Sequence, residues 1–61
     1  MNSMDRDFRI SDPVQAKPHT DAAFDGDRQG IVEEIGLRLI FVRMTRSQRL
    51  RAFTPSNLEH A

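Results

Sequence analysis

The side chains in this chain that could do chemistry are few and widely separated. His19 and His60 stand without a paired acid, a serine or a second ligand at a spacing that would build a catalytic or metal site. Asp21-Ala-Ala-Phe-Asp25-Gly26-Asp27 opens in the manner of a calcium loop, with acids first and fifth and glycine sixth. The third position is then Ala23 and the twelfth Val32, leaving too few oxygens for a hard cation. A turn at Asp25-Gly26 is the expectation instead. Without cysteine there is no disulfide, no thiolate zinc site and no Cys nucleophile. Gly26, Gly30 and Gly36 match neither a phosphate-binding loop nor a dinucleotide fingerprint. No catalytic residue, metal or cofactor is therefore assigned, and a chain of 61 residues is not expected to be an enzyme.

Arginine is the one chemically distinctive residue type. Residues 1–34 hold 4 basic and 8 acidic groups, residues 35–61 hold 5 and 1, so a formal net charge of zero hides an acidic half and a basic half. Arg38, Arg43, Arg46, Arg49 and Arg51 follow one another with no acid between them, which makes them candidate contacts for a nucleic acid or another anion. A neutral chain with pI near 6.7 is nonetheless a poor footprint for a dedicated nucleic-acid binder.

The elements that would position these side chains centre on Gln29–Phe53, where the apolar residues are densest. Ile31, Val32, Ile35, Leu39 and Val42 fall on one face of a helix, and Leu37, Ile40, Phe41 and Met44 repeat the pattern on nearly the opposite face. A strand over Ile35–Val42 is the rival reading. Helix is preferred because Leu, Met, Arg and Glu dominate the stretch and no evident hairpin turn follows it. Arg46 and Arg49 would spoil the first stripe, and Thr45-Arg-Ser-Gln48 fits a capping box, so the helix either breaks at Thr45 or runs on with its arginines snorkelling. Residues 1–28 are polar, acidic and interrupted by Pro13 and Pro18, and read as a disordered tail. The expected fold class is mainly α: a disordered tail over 1–28, then a small helical segment over 29–61 made of one long, kinked or broken helix and a short C-terminal one.

That short helix is the sharpest local expectation. Thr54 reads as its N-cap, Pro55 as its first residue, and Phe53 and Leu58 as a hydrophobic staple. Gly36-x-Arg38-Leu39, Arg43, Thr45-Arg-Ser-Gln48 and Thr54-Pro-Ser-Asn-Leu58 together resemble fragments of the first three helices of repressor-type helix-turn-helix domains. The likeness covers under half of the chain, lacks the usual turn glycine and leaves too few residues between Gln48 and Thr54 for a second helix. It implies a recognition helix beginning at Pro55, with Ser56 and Asn57 directed at base edges.

A helix apolar on two sides needs cover on two sides. The functional expectation is accordingly a small non-enzymatic interaction or regulatory protein that docks on a protein partner or on its own copies, with Leu37, Ile40, Phe41 and Met44 as the interface. The alternative is a nucleic-acid-binding peptide or helix-turn-helix-like regulator using the arginines. An amphipathic helix lying on an anionic membrane is a third, weaker reading. No run approaches the ~20 apolar residues of a spanning helix, and Met1–Ile10 lacks the pattern of a secretion signal, so a cytoplasmic protein is expected.

Overall fold

The computed structural model describes residues 8–61. It is an antiparallel β structure, which overturns the expectation of a mainly α, helical protein. The elements are β1 (Pro13–Ala16), a one-turn helix α1 (Asp21–Phe24), β2 (Gln29–Ile35), β3 (Ile40–Met44), β4 (Leu50–Phe53), a 3-10 turn (Pro55–Asn57) and β5 (Leu58–His60). They form one sheet in the order β4-β3-β2-β1-β5: a meander whose last strand returns to pair with the first.

The stretch read as one helix is two hairpins. Ile40, Val42 and Met44 alternate inward, while Phe41 and Arg43 take the other face, giving β3 the two-residue period of a half-buried strand. The helical stripes arose because two hairpin arms and the turn between them happened to space their apolar residues at three and four. Ile35 pairs with Ile40, and the intervening residues 36–39 reverse the chain, with Gly36 N–H donating to Leu39 O at 2.8 Å. Residues 45–48 make the second reversal. Gln48 adopts a left-handed φ of 63° there, Gln48 N–H donates to Met44 O at 2.9 Å, and the Gln48 side-chain amide donates to Thr45 O at 2.7 Å. Thr45 and Gln48 do interact, but as the ends of a turn and not as a helix cap. Helix propensity is a weak prior against such pairing, because the sheet buries the β-branched and aromatic residues on a pleated surface.

The core lies on one face of this sheet: Val14 and Ala16 from β1, Val32 from β2, Ile40, Val42 and Met44 from β3, Phe53 from β4 and Leu58 from β5, with Phe8 and Ala22 closing the ends. A single sheet can bury one face this thoroughly only by curling over it, and two features of β2 serve the curl. Gly30 sits on the inner face between Val14 and Met44. A Cβ on it would stand 2.5 Å from Val42 Cγ1 and 2.6 Å from the Arg43 carbonyl oxygen, so only a glycine permits that approach. The register then shifts between Val32 and Glu34, leaving Glu33 as the extra residue of a bulge that sharpens the local bend.

The region expected to be a disordered tail also enters the fold from Phe8 onward. Val14 and Ala16 are core residues, β1 is the sheet's second strand from one edge, and Ser11 N–H donates to Val32 O at 2.8 Å. The remainder of that expectation, residues 1–7, lies outside the described residues. α1 is short but well defined. Thr20 Oγ1 accepts from Ala23 N–H at 3.2 Å and donates to Lys17 O at 2.8 Å, Asp21 occupies the first turn, and Gly26 at φ 87° ends it. The Asp25-Gly26 turn is thus where the sequence puts it. Pro55 does begin a helical turn after Thr54, but the turn is a single 3-10 one, and Leu58 turns inward as the first residue of β5. A recognition helix from Pro55 is ruled out, and with it the helix-turn-helix likeness. The membrane-lying amphipathic helix goes as well, since its residues are strands.

Candidate interaction surface

The interface residues inferred from the sequence separate in space. Ile40 and Met44 are core residues, exposed by 3% and 1%, and cannot meet a partner in the folded chain. Phe41 is half-buried on the outer face opposite Ala52. Leu37 stands fully in solvent at the tip of the β2–β3 hairpin, with Ile35 and Leu39 also exposed beside it.

The five arginines separate too. Arg38 is at that same tip, Arg46 in the β3–β4 turn and Arg49 just before β4, all three exposed and without an ion pair to any described residue. Arg43 lies on the outer face and binds Glu33 through two nitrogens, Nε to Oε2 at 2.9 Å and Nη2 to Oε1 at 3.1 Å. The same guanidinium donates through Nη1 to Gln48 O at 3.2 Å. These hydrogen bonds hold the Glu33 carboxyl below the usual carboxylate range, with slight desolvation opposing and the arginine's charge adding to the effect.

Arg51 has an internal role. It pairs with Val42, an inward position, and its side chain is only 19% exposed. Nη2 donates to Asp25 Oδ2 at 2.9 Å, while Nη1 lies 3.8 Å from Asp27 Oδ2, buried and without a hydrogen-bond partner among the described residues. Asp27 is itself buried, at 4%, and accepts from Ser47 Oγ at 2.8 Å; Ser47 Oγ in turn accepts from Arg49 N–H at 3.2 Å. Asp25 and Asp27, within the segment that imitated a calcium loop, thus fasten the α1–β2 turn to the β3–β4 hairpin. The sequence contained one sign of this: Arg51 shares the strand parity of inward-facing Phe53.

Between α1, the end of β4 and the 3-10 turn runs an open cleft of about 440 Å³, lined by His19, Thr20, Leu39, Arg51, Phe53 and Asn57 among others. The His19 Nε2 is 3.1 Å from Asn57 Oδ1, and the Thr20 hydroxyl is committed to capping α1, so the cleft assembles no nucleophile with a base. His60 is elsewhere, stacked on Phe8 at 4.5 Å between ring centroids and 3.7 Å from Asp12 Oδ2. Among the described residues no group of three metal-ligating side chains comes together, and no helix is long and apolar enough to cross a membrane. Comparison of the chain with protein-family models, with curated proteins and with solved structures found no match.

Proposed function

We infer that this chain is a small non-enzymatic protein-interaction module that contacts a partner protein through the tip of its β2–β3 hairpin. The observation carrying this reading is the joint exposure of Ile35, Leu37 and Leu39 at one reversal of the chain, Leu37 completely so. Apart from Gly36, the reversal carries none of the asparagine, aspartate or proline that ordinarily satisfy or preset the backbone of such a loop. Leu37 contributes nothing to the core, and its neighbours little, whereas another protein surface would desolvate all three at once. A photo-cross-linking residue at position 37 should give a discrete protein adduct in cells, and the same group at exposed Gln29 should not. Equal labelling from both positions, or none from either, would remove the reading.

A nucleic-acid-binding role is the second reading, and one observation favours it: Arg38, Arg46 and Arg49 are exposed with no ion pair to a described residue. Arg43 and Arg51 are engaged by Glu33, Asp25 and Asp27, so fewer arginines are free for phosphates than the sequence suggests. Binding of this kind is electrostatic and shows itself in its salt dependence.

A further inference from the structure

β4 is an edge of the sheet, and half of its backbone polar groups are unused. Met44 N–H donates to Arg49 O at 2.8 Å, which makes those two a hydrogen-bonded pair. Antiparallel pairs alternate between bonded and non-bonded, so in the observed register Val42 with Arg51 and Ile40 with Phe53 are the next bonded pairs. The N–H and C=O groups of Leu50 and Ala52 therefore point away from β3, and no described strand lies beyond them. The cleft opens alongside, lined by Ala52, Phe53 and Thr54 on the β4 side and by Leu39 at the hairpin tip. Such an edge is a template for an added strand.

We propose that β4 takes up an extended, acidic segment of a partner protein as a sixth strand. Charge selects that occupant. Arg38 lies in the reversal at the Ile40–Phe53 end of the β3–β4 pair, and Arg46 and Arg49 lie in and after the reversal at the other end. Three arginines without an ion pair to a described residue thus bracket the edge, against one such acid, Asp21, in the cleft beside it. A second copy of β4 fits badly. Pairing Leu50 with Ala52 of a second copy sets Arg51 opposite Arg51, and pairing Leu50 with Leu50 sets Arg51 opposite Arg49; like charges directly opposite are destabilising. The register centred on Ala52 avoids this but runs Leu50 against Thr54, where the chain leaves the strand for the Pro55–Asn57 turn. Nucleic acid presents no peptide groups for Leu50 and Ala52 to pair with.

The proposal rests on reading the chain as a protein-interaction module but uses a surface other than Leu37, so the two can fail separately. The test is a titration of the nitrogen-15-labelled full chain with an octapeptide of alternating glutamate and valine, with a lysine–valine octapeptide as control. The acidic peptide should bind saturably, shift the amides of Leu50 to Phe53, slow hydrogen exchange at Leu50 and Ala52, and weaken as salt is added. Ala52→Pro removes one outward N–H and leaves the bonds to β3 in place, so affinity should fall at least about fivefold, the worth of one hydrogen bond. Should that variant not fold, amide exchange at Leu50 and Ala52 in the unaltered chain decides the question. No saturable binding, equal binding of the lysine peptide, shifts confined to residues 36–39, or Leu50 and Ala52 amides left unprotected would each overturn the proposal. So would a dimer through β4 seen by light scattering, or a single-stranded oligonucleotide that binds more tightly than the peptide and ignores Ala52→Pro. Loss of the position-37 adduct with peptide binding intact removes the hairpin-tip reading alone; an adduct retained without peptide binding removes this one alone.

Discussion

Arg43 holds Glu33 in a two-pronged grip across β2 and β3, at 2.9 and 3.1 Å, beside the bulge where Glu33 is the unpaired extra residue. The pair fixes on the outer face a kink that the core requires on the inner one. Because both side chains are around half exposed, the grip contributes to the register more than to overall stability.

Its pH dependence has a definite sign. The Glu33 carboxyl is held below its ordinary value in the folded chain, so the stabilisation is fully present above the unfolded carboxylate's pKa. It is lost as pH falls through the lower folded value. Thermal melts should show a small acid-side loss of stability that begins as the pH falls into the usual carboxylate range and is complete below the folded Glu33 value, and Glu33→Gln should flatten part of it. Identical acid profiles for the two chains would show that the grip carries no linkage.

Gly30→Ala should destabilise the fold by about 1–3 kcal/mol, the usual cost of overpacking. The new methyl would meet both Val42 Cγ1 and the Arg43 carbonyl, and the latter is backbone that cannot swing aside. Gly36→Ala, where the nearest atom would be 3.4 Å away, should be close to neutral by the same chemical denaturation measurement.

Arg51→Met should cost roughly 1–3 kcal/mol, because it leaves Asp27 buried with Ser47 as its one remaining side-chain partner. Arg49→Met, which breaks no ion pair with a described residue, should change the denaturation midpoint little. Equal losses for the two would mean that the clamp between the α1–β2 turn and β4 is not what Arg51 supplies.

Met44→Ala and Leu37→Asp should part company. Met44 is among the largest fully buried side chains, and its truncation should cost about 2–5 kcal/mol, enough to unfold much of so small a chain. Leu37 is in open solvent, so its change to Asp should leave the melt unaltered and affect partner binding alone.

If nucleic acid is the partner, the count of free arginines sets the salt dependence. With Arg38, Arg46 and Arg49 available, the logarithm of affinity for duplex DNA should fall against the logarithm of salt concentration with a slope near −3. A slope near zero would exclude phosphate neutralisation by these residues, and one well steeper than −3 would mean that further cations join them, whether Arg9 and Lys17 or an arginine released from its acid.

Local chemistry was readable from the sequence wherever neighbouring residues settle it. Asp25-Gly26 makes a turn because a left-handed position favours glycine, and Thr54-Pro55 opens a helical turn because proline presets φ and has no N–H to lose. Val32, Ile40, Val42, Met44 and Phe53, half of the core, also lay within the apolar stretch Gln29–Phe53. What the sequence left open was the period. Ile35, Leu39 and Val42 satisfy a helical spacing as well as Ile40, Val42 and Met44 satisfy an alternating one, and the first reversal carries Leu37 and Leu39 while the second closes on Gln48. Only pairing across distant residues broke the tie. β5 and β2 pair with Val14 on either side, a contact no local pattern announces, and Val14 and Ala16 thereby enter the core from a polar, proline-bearing stretch. The same long-range register turned Arg51 inward to Asp25 and Asp27, left Leu37 at a tip and Leu50 and Ala52 on an edge, and so decided which residues can meet a partner.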